Sequence, residues 1–195
     1  MQKQPPQGGG GQPEELPPPV VGKQVNALPK SGTVKIKLPG TNTFVLLDED
    51  TQIPVNTIVD TRKGRITLVA AANKSGGLAK ADFYDGLFKV TQTKGKKPIT
   101  ILTLTEKLTG CKAKGKASAA AKKKKKRRLW GDGKGRFQTK GKHSAATVVG
   151  TKWMVEDRCT STLTRVARGK VKVRDFGKRK TVLVKAGKKY IARAR

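Results

Sequence analysis

The chain has 195 residues, with 44 Lys and Arg against 13 Asp and Glu, a net charge of +31, one histidine and two cysteines. Three His and Cys residues cannot build a four-ligand cage, so no metal is expected, and no cofactor motif stands out either. No apolar run approaches the roughly 20 residues of a membrane helix, and the first residues lack the basic and apolar regions of a secretory signal, which predicts a soluble chain or the soluble piece of a longer one.

Residues 1–30 hold seven of the ten prolines and the run Gly8 to Gly11. They offer too little burial to recover the entropy of ordering, which predicts a disordered linker or tail. Residues 31–195 are expected to form one β-rich domain, with a first block at 31–110, a basic insertion at 112–128 and a second block at 129–195.

In the first block, Val34, Ile36 and Leu38 alternate with Thr33, Lys35 and Lys37, the period of a half-buried antiparallel strand. GRITLVAA (64–71) and GLFKVTQT (86–93) repeat the pattern. PITILTLTEKL (98–108) is apolar on both faces, with Ile99, Ile101 and Thr103 on one and Leu102 and Leu104 on the other. Asp48-Glu49-Asp50 is expected to be a solvated turn, because calcium loops space their acids at alternate positions.

The insertion, residues 112–128, has no apolar side chain larger than alanine and ends in seven consecutive cations. Seven like charges repel at helical spacing, which predicts an exposed, disordered arm. In the second block GDGKG (131–135) is a turn signal, and GRFQTKG (135–141), GKVKVRDF (169–176), TVLVKAG and YIARAR are strand-like. The whole predicts an all-β, antiparallel, hairpin-built sandwich or stacked β-roll rather than a closed barrel, burying Phe44, Phe83, Phe88, Ile101, Phe137, Trp153 and Val171.

No catalytic residue emerges. His143 stands beside Ser144, but adjacency in sequence does not place a hydroxyl on an imidazole, and there is no G-x-S-x-G phrase and no phosphate loop. A non-enzymatic protein with no small-molecule substrate is expected.

Cys111 and Cys159 each end a strand-like block, so a disulfide between them would staple the base of the insertion, given an oxidising compartment. The field lies mostly in the second half: residues 1–110 carry 15 cations and 9 acids, residues 111–195 carry 29 and 4. The candidate anion-binding residues are Lys122, Lys123, Lys124, Lys125, Lys126, Arg127 and Arg128, with Trp130 available for base stacking. Their partner would be an anionic polymer, whether cell-wall polymer, anionic lipid surface or nucleic acid.

The stretch SAATVVGTKWMVEDRCTSTLTRVARGKVKVRDFGKRKTVLVKAGKKY (144–190) resembles a FecR-type domain, through Val148 to Val155, Thr164 to Val173 and Val182 to Gly187. IPVNTIVDTRKGRITLVAA (53–71) and DFYDGLFKV (82–90) resemble its upstream part. The motif positions are Gly150, Thr151, Trp153, Val155, Gly169, Val171, Val173 and Gly187. The resemblance implies an all-β extracytoplasmic module of a bacterial envelope or surface protein, and in family members a protein partner in envelope signalling. A sigma-binding helical region and a membrane span, which signalling members have, are not seen here. The reading from a different class is an intracellular nucleic-acid-binding protein that uses the polylysine run.

Overall fold

The computed structural model describes residues 16–111 and 126–194, which form thirteen strands and no helix. They are β1 (Gln24–Lys37), β2 (Val45–Leu46), β3 (Thr51–Pro54), β4 (Ile58–Ala71), β5 (Leu78–Tyr84), β6 (Leu87–Gln92) and β7 (Thr100–Leu104), followed by β8 (Arg127–Lys140), β9 (Ser144–Arg158), β10 (Ser161–Arg168), β11 (Lys170–Asp175), β12 (Lys180–Lys185) and β13 (Lys189–Arg193). The all-β class follows from the period-two pattern. In β11, Val171, Val173 and Asp175 point inward while Lys170, Lys172 and Arg174 point to water.

Four long strands divide their pairing between two sheets. One sheet contains β3, the first half of β1, the second half of β4, β5, the first half of β8, the second half of β9, β10 and β13. The other contains β2, the second half of β1, the first half of β4, β6, β7, the second half of β8, the first half of β9, β11 and β12. Register slips between Pro29 and Ser31, Thr33 and Lys35, and Gly133 and Arg136 lie where β1 and β8 pass from one sheet to the other. Such slips bend a strand and raise its local twist.

Antiparallel hairpins dominate, and the sandwich-like layering is present. The expectation against closure needs correction. Because β4 pairs with β6 in one half and β5 in the other, and β8 with β5 and then β7, the path β4–β5–β8–β7–β6–β4 closes as a flattened five-stranded barrel. Its β7–β8 pair is parallel. Parallel neighbours need a crossover of a dozen residues or more, and the basic segment lies in that connection.

Four rings fill the space between the sheets. Phe83 on β5 lies 5.9 Å from Phe88, 5.3 Å from Phe137 and 6.0 Å from Trp153, centroid to centroid, mostly in the edge-to-face arrangement that aromatic quadrupoles favour. Trp153 is fully buried, and its Nε1 donates to the buried Thr139 Oγ1 at 3.0 Å. Val171 is buried as expected. Phe44 is not: it is 40% exposed, with Lys37 over its ring. Ile101 faces outward, and Thr100, Leu102 and Leu104 face the core, because a strand apolar on both faces leaves its inward side undetermined by pattern.

One boundary and one expected turn also need correction. Strand structure begins at Gln24, inside the expected linker, where Val25 and Ala27 are buried and the Pro17 carbonyl accepts from the side-chain amides of Asn26 and Gln52. Residues 1–15 lie outside the described residues. GDGKG is no turn but the middle of β8. A Cβ on Gly131 would collide with the Trp153 ring, and Gly135 has φ +110°, at the bulge where β8 changes sheet.

A buried acid ties the last strands together. Asp175, fully buried on β11, accepts from the Lys178 N–H and the Tyr190 hydroxyl, each at 2.8 Å. Burial pushes its carboxyl up, but these bonds and the Lys178 charge outweigh that and hold it below the usual carboxylate range. A depressed carboxyl stabilises the fold at pH values above its unfolded pKa of about 3.9, and this stabilisation is lost as pH falls through the lower folded value. Asp175→Asn is therefore expected to lower the melting temperature at neutral pH. It should also flatten the loss of stability below about pH 4, as followed by thermal melts over an acid series. An acid limb as steep as that of the parent would exclude this role for Asp175.

Candidate anion-binding site

The residues flanking the basic segment on either side, Cys111 and Arg127, are held at one place, the end of β9. β7 ends at Leu104, β8 begins at Arg127, and the turn after β9 carries Cys159. Cys111 and Cys159 are disulfide-bonded, with Cα atoms 5.3 Å apart, and both lie toward the surface. Lys122, Lys123, Lys124 and Lys125 fall outside the described residues, as does most of the expected insertion.

Arg127 and Arg128, placed in the insertion on sequence grounds, are strand residues with partners. Arg127 stands opposite Asp157 in the β8–β9 register, and its Nη2 lies 2.8 Å from the carboxylate of Asp157, which is fully buried. The same carboxylate accepts from the Lys142 N–H and the Thr162 hydroxyl, so its lone pairs are satisfied. Arg127 Nη1 donates to the Glu106 carbonyl at 2.7 Å, which ties the exit of β7 to the start of β8. Arg127 is a structural cation and leaves the anion-binding set.

Arg128 projects to the opposite face, where it pairs with Asp85. It lines a surface cleft of about 330 Å³ together with Arg62, Lys126, Asp85, Glu106 and Glu156. Three cations face three carboxylates there, so the cleft is close to neutral. Arg62 also reaches Asp60, at 2.6 Å, and Glu106, at 3.3 Å. Its bond to Asp60 holds the guanidinium pKa above its usual value. Of the described members of the cation run, only Lys126 is exposed and in no ion pair.

Trp130 is not a stacking platform. Its ring lies parallel to that of Tyr84, at 6.1 Å, and Arg65 covers the Tyr84 ring at 4.9 Å. Across the sheet on its other side stands Met154, itself only 7% exposed. Trp130 is thus half-buried within a packed row. On this outer face acids also neutralise cations: Asp82 holds Arg65 and Lys30, Asp132 holds Arg168, and Glu156 holds Arg158.

The motif glycines mark corners. Gly150 lies within β9 where its partners change from β11 to β10, and Gly169 joins β10 to β11. Gly169 has φ +75°, and a side chain there would crowd the Gly150 carbonyl and Thr151. Thr151, Trp153, Val155, Val171 and Val173 are core positions, and Gly187 lies between β12 and β13. They bend strands and fill the interior. Asp48, Glu49 and Asp50 are exposed between β2 and β3, as a solvated turn requires. His143 sits in the β8–β9 turn, with its N–H on Thr162 and its Nε2 without a hydrogen-bond partner.

Exchanging Cys111 and Cys159 together for serine is expected to lower stability by about 2–4 kcal/mol, since the bridge constrains the unfolded chain across a separation of 48 residues. Denaturant unfolding of the two proteins measures it. An unchanged midpoint would show that the arginine bridge alone holds the segment's ends. Compared with protein-family models, with curated proteins and with solved structures, the chain matches none.

Proposed function

We propose that the chain is a non-enzymatic, FecR-like extracytoplasmic β module of a bacterial envelope or surface protein, which binds anionic polymers through the basic segment in its β7–β8 crossover. The observation that carries this reading is the mooring of that segment. Its two flanks are tied to one end of the fold by the Cys111–Cys159 bridge and by Arg127, which spans Asp157 and the Glu106 carbonyl. A cationic segment whose two ends are fixed contributes its charge at a defined place, and structural disulfides persist in oxidising compartments. The FecR-like identity rests on the motif stretch at 144–190, which the fold uses for β9 to β13.

The test is neutralisation of Lys122 to Lys126 by serine in the full chain. Deleting residues 112–128 would serve badly, because Arg127 and Arg128 belong to β8. The expected result is unchanged melting, because no described apolar contact is touched, with weaker binding to poly(glycerol phosphate). Five cations fully engaged on a flexible polyanion would steepen the log–log salt slope by roughly 3.5, an upper bound for the slope the variant loses. Equal affinity and equal slope in the two proteins would refute the reading.

A further inference from the structure

The outer face of the second sheet carries cations that the basic segment does not account for. The register places Arg174 on β11, Lys140 on β8, Lys89 on β6 and Lys37 on β1 in one line across the strands, with a single strand between each cation and the next. Their neighbours along the chain, Val173, Thr139, Val90 and Ile36, are buried, so the four side chains stand outside. None is in an ion pair among the described residues: Arg174 Nη1 donates to the Arg179 carbonyl, Lys37 lies over the Phe44 ring, and Asp60, one pleat from Ile58 on the same face, is held by Arg62. One pleat away, Lys172 continues the positive field beside Thr147 and Gln138, whose side chains bond to each other on the surface.

Geometry narrows the ligand. Strands about 4.8 Å apart put successive cations about 9.5 Å apart along the line. A twist of about 20–25° per strand turns each cation about 45° from the last, so the line is a ramp winding over the surface. A flat bilayer would meet about two of the four, whereas a flexible chain can follow them all. The residues between the cations are Ala145, Thr103 and Ile58; the exposed rings Phe44, under Lys37, and Phe176, two residues beyond Arg174, stand at the two ends of the line and form no row on which successive bases could stack, as single-strand binders provide.

We propose that this ramp is a second anion-binding surface, and that its ligand is a flexible, linear poly(phosphodiester) of the cell-wall type laid across the strands. The assignment rests on the extracytoplasmic reading above and adds a site that shares no residue with the basic segment. Lysine and arginine here act through charge and hydrogen bonds to phosphate oxygens.

The experiment compares the full chain with the triple variant Lys89→Ser, Lys140→Ser, Arg174→Ser, leaving Lys122 to Lys126 intact, in titrations with poly(glycerol phosphate). The triple variant is expected to bind roughly tenfold more weakly at about 0.15 M salt, with a salt slope shallower by up to about 2. The double variant Lys89→Arg, Lys140→Arg should bind as the parent does. Lys140→Ser alone, at an exposed position, should give a smaller loss in the same direction, which keeps the test open should the triple variant melt early.

If the parent binds and the triple variant, equally folded, matches it in affinity and slope, the ramp is refuted while the basic segment's role stands. If the parent does not bind the polymer, the reading beneath fails and takes the ramp with it. Vesicles of phosphatidylglycerol and phosphatidylcholine bound as tightly as the polymer, or oligothymidylate bound more tightly, would overturn the choice of ligand.

Discussion

Arg127→Ala is expected to destabilise the fold by about 3–5 kcal/mol, the usual result of removing one partner from a buried ion pair. Asp157 is fully buried, and Arg127 supplies two of its donors, Nε at 3.0 Å and Nη2 at 2.8 Å. Without them the carboxylate keeps only the Lys142 N–H and the Thr162 hydroxyl, too few to offset desolvation of a full charge. The substitution also releases the Glu106 carbonyl and so frees the exit of β7. The neighbouring Arg128→Ala is the control. Its pair with Asp85 is about half exposed, so roughly 1 kcal/mol or less is expected. Urea unfolding of the two variants reads the contrast. Equal midpoints would show that the two arginines are equivalent members of a surface run, as their adjacency in sequence implies.

Trp153→Ala should cost about 3–5 kcal/mol for a different reason: it leaves a cavity at the meeting point of both sheets. The ring lies between Phe83 and the strand position of Gly131, which is glycine because the indole occupies the space of its side chain. Trp153→Phe keeps most of the contact area but leaves the buried Thr139 hydroxyl without the indole N–H, so a smaller loss of about 1–3 kcal/mol is expected. Restoring volume from the other side, as in Gly131→Ala combined with Trp153→Ala, should recover part of the loss, although Gly131→Ala alone is destabilising. Additive effects of the two substitutions would contradict this packing, because residues that share one cavity couple.

The fold class was legible because alternation is a backbone property: wherever one face is buried and the other wet, as in β11 and in the latter part of β1, the sequence must show period two. The solvated turn at Asp48-Glu49-Asp50 was legible too, because three adjacent acids cannot be buried in a strand. What stayed hidden depends on contacts distant in sequence. GDGKG carries the residues of a turn, and only the Trp153 ring across the sheet explains glycines inside a strand. Arg127 and Arg128 look alike in a run of seven cations, and only the register that faces one of them with Asp157 separates them. The faces of β7 were ambiguous because both are apolar. The closure through β4 and β8 was hidden because a strand that serves two sheets has the same local pattern as one that serves a single sheet.

The candidate site divides in the same way. The net charge and the cation run were visible in composition, and so was the pair of strand-end cysteines. The ramp was not, since Lys37, Lys89, Lys140 and Arg174 come from four strands spread over the chain and meet only through pairing register.

The most direct measurement is the affinity of the intact, disulfide-bonded chain for poly(glycerol phosphate) across a salt series. Binding through many lysines to phosphates should fall linearly on log–log axes with a slope well beyond −1, without preference among polyanions of one charge density and flexibility. An affinity that ignores salt, or a strong preference for one nucleic-acid sequence, would contradict an electrostatic wall-polymer module.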